Sequence, residues 1–304
     1  MDAQQGVREV PEMSLDPRVR VFQRTLSELE EFEGMEVDAY LVLGERYAVM
    51  LDTLLCPADV AQVMALCAPE IEKRQLLCVN SHADWDHTWG NGYFSAERNV
   101  PILAHEHCLT RMNSDKARLD LMGYQARYPL FRDVKLVPPT LTFSERLTIV
   151  DGNLTIELLH APGHCHDQIV AWLPEISLLL AFDALEKPLP CIEDATCAPL
   201  MFTTLERLAA LNAQHVLCSH GKTTSPALIQ ENLTYLREIK SRCYTFLTGS
   251  MSTRAKDDPT PVSELIGYPF DEVIAKVDEE VDRTYYSWAH EQNVSAILRW
   301  LRAE

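Results

Sequence analysis

Ser81-His82-Ala83-Asp84-Trp85-Asp86-His87 stands just after the apolar run Gln75-Leu76-Leu77-Cys78-Val79. Four potential metal ligands fall within the six residues from His82 to His87. A polar loop with a capping aspartate accounts for one of them and leaves the others without a purpose. Three more stretches put the same residue types in the same setting. Ala161-Pro162-Gly163-His164 places a histidine on a tight turn after a strand-like run. Asp183 ends the most apolar run of the chain, where an unpaired carboxylate would be costly. Ser219-His220-Gly221 ends another. Strand ends are where α/β folds build their sites, and an aspartate with histidines at the ends of buried strands calls for a cation.

Working outward, the chain contains a weak internal repeat. Val37 to Leu55 reads as strand, turn at Gly44-Glu45, strand, then Asp52. Asp167 to Leu185 repeats that plan, with a turn at Pro174-Glu175 and then Asp183. Both second strands are continuous apolar runs, as expected of a strand covered on both faces. Each hairpin leads to a helical pattern and a strand ending in polar residues, at His82 in the first copy and His220 in the second. Two such copies predict two sheets packed face to face with helices outside. Between them, Gly90 to Asn99 reads as a loop, Pro101 to Cys108 as containing a short strand, and Leu109 to Phe131 as helical. Strands are expected over Thr140 to Val150 and Leu154 to His160.

The last 79 residues change character. Ser225-Pro226 is a helix start, a cap followed by proline in the first turn. Ile229, Leu233, Leu236 and Cys243 then hold helical spacing. A polar linker over 249–261 precedes a helix expected to carry Phe270, Val273, Ile274, Val277 and Val281, and a final helix with Tyr285, Trp288, Ile297 and Trp300. The chain therefore divides into a core over residues 1–225 and a helical extension over 226–304.

Taken together, these elements resemble the metallo-β-lactamase superfamily, whose pattern is H-x-H-x-D-H, then His, then a bridging Asp, then His. The resemblance covers roughly residues 20–225 and implies an α/β fold, a four-layer αββα sandwich with two metals at one edge. Carried over residue by residue, it implies that His82 and His164 hold one metal. Asp86, His87 and His220 would hold the second, with Asp183 bridging both. Asp52-Thr53 matches the family's early strand-end aspartate, which supports the metal-binding loop. The resemblance also implies a binuclear hydrolase in which a metal-bridging hydroxide attacks the substrate, with Asp86 and Asp183 as the catalytic carboxylates. No Ser elbow of the G-x-S-x-G type competes for the nucleophile's role.

One position departs from the family: the second His of the motif is Asp84. Flavodiiron proteins carry a carboxylate here and hold iron, so Asp84 is read as a ligand of the first metal. Asp84, Asp86 and Asp183 then contribute −3 against +4 from two divalent ions, in place of −2. Zinc is the family's usual metal, and an added anionic oxygen favours iron or manganese and makes the bound water less acidic. Two other readings follow from Asp84: a diiron redox enzyme acting on oxygen, nitric oxide or a persulfide, and a metal-poor, non-catalytic relative. Against the first, the extension is too short and too helical to be a flavodoxin domain.

Composition narrows the partners. Lys and Arg total 27 against 45 Asp and Glu, a net charge of −18, in a chain that is 47% hydrophobic and 24% charged. Nucleic-acid binders need a basic face, so neither nucleic acid nor an anionic membrane is expected. Nine cysteines without a C-x-x-C pair, and no apolar core of a signal peptide in the first residues, point to a reduced, cytoplasmic protein. Small neutral esters, lactones or thioesters fit best as substrates, and apolar faces on the tail helices would suit a homodimer contact. Pocket walls are expected from Tyr124, Arg127, Tyr128, Phe131 and the tail, with Tyr285, Tyr286 and His290 within reach of the metal edge. His166 is expected to line the pocket if Asp167 does not cap the following turn. Cys165 is read as a bystander, Lys222 as a solvated lysine, and His105 and His107 as loop or core residues.

Overall fold

The computed structural model describes residues 6–32, 34–94, 99–249, 260–275, 277 and 281–303. A seven-stranded sheet runs in chain order through β1 (Val7–Glu9), β2 (Val19–Thr25), β3 (Glu36–Leu43), β4 (Tyr47–Leu51), β5 (Gln75–Val79), β6 (Ile102–His105) and β7 (Leu141–Phe143). A five-stranded sheet comprises β8 (Arg146–Asp151), β9 (Leu154–His160), β10 (Ile169–Leu173), β11 (Leu178–Leu180) and β12 (His215–Leu217), with β12 and β8 at its edges. The repeat has a structural counterpart. The hairpin β3–β4 continues into a parallel β5, and the hairpin β10–β11 into a parallel β12. Helices α1 (Pro57–Leu66) and α2 (Ala68–Ile71) make the first crossover, and α6 (Cys197–Ala210) makes the second.

Alternation explains the layers. On β3, Tyr40 and Val42 face a core shared with Leu158, Ala171, Leu178, Leu180 and Leu217 of the other sheet. Ala39, Leu41 and Leu43 point the opposite way, into a core shared with the helices. Val170, Leu179 and Val216 do the same for the second sheet. Both faces of these strands are buried, which is why they read as unbroken apolar runs. Three bonds tie the start of the first repeat, on β3, to the end of the second. The Tyr40 hydroxyl donates to the Cys218 carbonyl at 2.8 Å, Asp38 N–H to Ser219 at 2.9 Å, and His220 Nδ1 to Glu36 at 2.8 Å.

The middle region differs from expectation in two places. The run 140–150 is two strands, because the chain leaves one sheet after β7 and enters the other at β8. The helix expected over 109–131 is α4 (Glu106–Met112) and α5 (Asp115–Arg127), broken where Ser114 caps the second by accepting from Ala117 N–H at 3.1 Å. The short β1 and the longer β2 were not foreseen. Helix α3 (Trp85–Thr88) begins inside the ligand motif.

In the tail, α7 (Ala227–Thr248) begins one residue after Ser225-Pro226. Helices α8 (Val262–Leu265), α9 (Phe270–Ile274) and α10 (Arg283–Ala303) follow. The helix expected to run on to Val281 stops at Ile274, and neither Val277 nor Val281 is helical. Most of the linker over 249–261 and residues 95–98 of the expected loop lie outside the described residues. Helices α10 and α7 pack against each other and against α6, so the tail covers the second sheet's outer layer. No described helix is long and apolar enough to cross a membrane. All nine cysteines are free and buried.

Candidate metal centre

Four strand ends deliver the side chains. After β4, Asp52 takes a left-handed backbone (φ 63°), and its carboxylate accepts from Ser81 N–H at 2.7 Å and from His87 Nδ1 at 2.9 Å. Thr53 Oγ1 donates to the His87 carbonyl at 3.0 Å. Gly90 packs so closely on Thr53 that a Cβ there would overlap its carbonyl. The turn after β5 is thereby locked onto the turn after β4. From it come His82, Asp84, Asp86 and His87; β9, β11 and β12 lead to His164, Asp183 and His220.

These seven residues converge. The Nε2 atoms of His82, His87, His164 and His220 lie 3.7, 3.3, 3.9 and 3.4 Å from Asp183 Oδ2. Asp84 Oδ2 is 3.3 Å from both His82 and His164 Nε2, which groups these three around Asp183. Asp86 Oδ2 is 3.6 Å from His87 Nε2 and 3.4 Å from His220 Nε2, a second group. Ligand atoms about 2.0–2.2 Å from a tetrahedral ion stand roughly 3.3–3.6 Å apart, so both groups have the spacing of a ligand shell.

The outer bonds fix which nitrogen faces inward. His164 Nδ1 donates to the Cys191 carbonyl at 3.0 Å, and His220 Nδ1 donates to the Glu36 carbonyl. A carbonyl only accepts, so Nδ1 carries hydrogen and Nε2 is left to bind a ligand. His87 is held likewise by Asp52, and His82 Nδ1 meets Ser81 Oγ at 2.9 Å. The buried Nε2 atoms of His82 and His87 and Oδ1 of Asp183 have no hydrogen-bond partner. Buried polar atoms rarely remain so, and the residues present therefore fit a bound metal cation.

The electrostatics agree. Burial alone would lower the imidazoles, yet Asp183 and Asp86 hold His87 and His220 well above the usual range. For His164, Asp84 and Asp183 overcome burial and raise it to about 9. Burial would raise Asp183, but His87 and His220 hold it well below the usual carboxylate range. The cluster stabilises positive charge at its centre.

Arg111, on α4, was missed by the sequence reading, and it corrects the charge arithmetic. Its Nη2 bonds Asp84 Oδ1, and its Nη1 donates to Asp167 Oδ1 at 2.9 Å. Burial would raise Asp84, and Arg111, with His82, instead holds it well below its usual range. The extra charge of Asp84 is thus offset beside it. The same pairing shows Asp167 to be a buried ion-pair partner rather than a turn cap. Glu186 was missed too. It is fully buried, with Oε1 4.0 Å from His164 Nδ1, and burial with Asp183 beside it raises it to about 7.

The remaining candidates separate. Tyr124 and Tyr285 line a cavity of about 420 Å³ that opens over Asp84, Asp86, His164 and His220. Arg127 and Tyr128 turn away to Glu31, and Phe131 is buried behind Trp85 and Trp89, so these three do not wall it as expected. Tyr286 donates to the Lys187 carbonyl at 3.1 Å, and His290 lies between Tyr235 Oη and the Tyr268 carbonyl. His105 stacks on His160 at 3.9 Å, with His107 alongside, and its Nε2 donates to the Ser144 carbonyl. His166 bonds Thr196 at 2.7 Å, and Lys222 pairs with Glu36 at 2.9 Å. Cys165 lies within 4.8 Å of His82 and His164, and burial, with Asp167, holds its thiol well above the usual range.

An αββα sandwich with a His/Asp cluster suited to metal ions at one edge defines the class of protein. The chain belongs to the metallo-beta-lactamase superfamily, whose family model matches residues 33–196, more than half of its length. Solved structures agree in fold. A metallo-beta-lactamase family protein from Thermus thermophilus aligns with TM-score 0.61 at 18% identity, covering 88% of this chain and 89% of that one. A metallo-beta-lactamase from Pontibacter korlensis aligns with TM-score 0.59 at 16% identity, covering 76% and 99%. FIM-1 from Pseudomonas aeruginosa, solved in a mono-zinc form, aligns with TM-score 0.56 at 16% identity, covering 77% and 96%. No curated protein matches.

Proposed function

We propose that this protein is a binuclear metal-dependent hydrolase of small esters, lactones or thioesters. The observation that carries the reading is the convergence of four Nε2 atoms on Asp183 Oδ2, with each Nδ1 engaged elsewhere. His82, Asp84 and His164 would hold one ion and Asp86, His87 and His220 the other, with Asp183 shared. Bound divalent ions would supply Lewis acidity and an acidified water. Asp86 lines the cavity, where its carboxylate can take a proton and return it to the leaving group. Cys191 also lines the cavity, but burial and Glu186 push its thiol well above the usual range, which argues against a cysteine nucleophile. Arg111 offsets the charge of Asp84, which weakens the charge argument for iron, while the carboxylate oxygen itself suits iron or manganese as well as zinc.

The test is metal analysis after loading with zinc, manganese or iron, joined to turnover of 4-nitrophenyl acetate and an acyl thioester. Two equivalents of zinc with turnover are expected, and His87→Ala and His220→Ala should each lose turnover and at least one equivalent. Wild-type turnover in either variant would sink the binuclear reading.

A further inference from the structure

Aromatic rings form a continuous wall on one side of the cavity. Tyr124 meets Trp85 with centroids 5.2 Å apart, Trp85 meets Phe32 at 5.8 Å, Phe32 meets Tyr285 at 5.8 Å, and Tyr285 meets Trp288 at 5.7 Å. All five line the cavity, and they come from α5, α3, the loop before β3 and α10. Trp85 sits between Asp84 and Asp86 in the chain, so the wall begins at the candidate metal edge.

The charges facing this wall are spoken for. Among the described residues, the lysines and arginines lining the cavity are Arg111 and Lys116. Arg111 is engaged by Asp84, Asp167 and Glu193. Lys116 pairs with Asp120 at 2.7 Å, and at 79% side-chain exposure it offers a solvated charge at the rim, not a desolvated anchor. Asp120 and Glu193 add negative charge to the same lining. A carboxylate on the non-reacting part of a substrate would lose its water and meet no unpaired cation. An apolar group would gain ring contacts.

Resting on the hydrolase reading, we infer that the substrate is an ester or thioester whose non-reacting part is uncharged, apolar and flat enough to lie along the Tyr124–Trp85–Phe32–Tyr285–Trp288 wall. Substrates marked by a free carboxylate are thereby selected against.

Binding separates this from turnover. The metal-loaded protein is titrated by calorimetry with 4-phenylbutan-2-one, a neutral ketone that cannot be hydrolysed, and with 4-(3-oxobutyl)benzoate, the same skeleton bearing a carboxylate. The neutral ketone should bind about tenfold more tightly than the benzoate. Trp288 is 57% exposed, so Trp288→Ala should fold, keep its metal and weaken the ketone by about fivefold. Equal or tighter binding of the benzoate overturns the inference. So does no binding of either compound, or an unchanged ketone affinity in Trp288→Ala. Selective ketone binding without turnover of any ester or thioester upholds the wall and removes the hydrolase reading.

Discussion

At Asp84 one carboxylate serves two neighbours: Oδ1 meets Arg111, and Oδ2 faces His82 and His164. Arg111→Leu should therefore weaken the metal beside Asp84 by about 10–100-fold, the usual cost of losing an outer partner of a ligand. Asp84→His alone would leave Arg111 pressing a cation against a cationic site. It should bind less metal than the wild type, whereas Asp84→His with Arg111→Leu should recover two equivalents, a coupling that metal analysis of the four proteins reads out. Proton release gives a second check. In the metal-free protein His87, His164 and His220 have raised pKa values and hold protons near neutrality. Each proton must leave for Nε2 to bind, so affinity should rise with pH up to about 9, the value for His164. Calorimetry in buffers of different protonation enthalpy counts those protons. By linkage, the raised His164 stabilises the metal-free fold fully below its unfolded value near 6.5, and that stability is lost as pH rises through about 9. Chelator-treated protein should thus melt lower at pH 9 than at pH 6.5. The candidate ligands were legible because each lies at or just beyond the end of an apolar run, where a polar residue demands a reason. Arg111 was not, because its carboxylates stand 27 and 56 residues away and nothing local on α4 marks it.

Strand β3 illustrates what an element adds. Asp38 is buried between the sheets' ends, with Gln23 Nε2 donating to it at 2.8 Å, and burial raises it to about 7 despite that bond. The folded state then holds a proton that the unfolded chain releases above about 4, so stability falls as pH rises between those values. Asp38→Asn keeps a partner for Gln23 and removes the penalty. It should gain on the order of 2 kcal/mol at pH 8 and almost nothing at pH 4, measured as a shift in denaturation midpoint. The paired hairpins were readable because strands covered on both faces carry no polar alternation. The break between α4 and α5 left a sign in Ser114, a good cap, but the apolar spacing runs through it. The crossing from β7 to β8 left less, since both strands have exposed positions and neither reads as core.

Across the whole molecule, the tail reaches back to the candidate metal edge. Asn293 of α10 accepts from Ile192 N–H at 2.8 Å and donates to the Pro190 carbonyl at 2.6 Å, clamping both neighbours of Cys191, whose carbonyl orients His164. Asn293→Ala strands these buried groups and should cost about 1–3 kcal/mol, with a Tm loss of several degrees and weaker metal binding than stability alone explains. The tail's helices were visible in the sequence, but this service was not, because an asparagine on a helix carries no sign of its distant partners. A final consequence concerns time. Glu36 to Tyr40 close on Cys218 to His220 across 178 to 184 residues, and His220 is itself a candidate ligand. Contacts so far apart in the chain form slowly, since loop entropy is lost before they reward it. Most sheet structure can form before that closure, whereas the shell that includes His220 cannot. On refolding from denaturant, far-UV signal should return ahead of metal uptake, and a chain caught between the two would be folded in outline yet still unable to keep its ions.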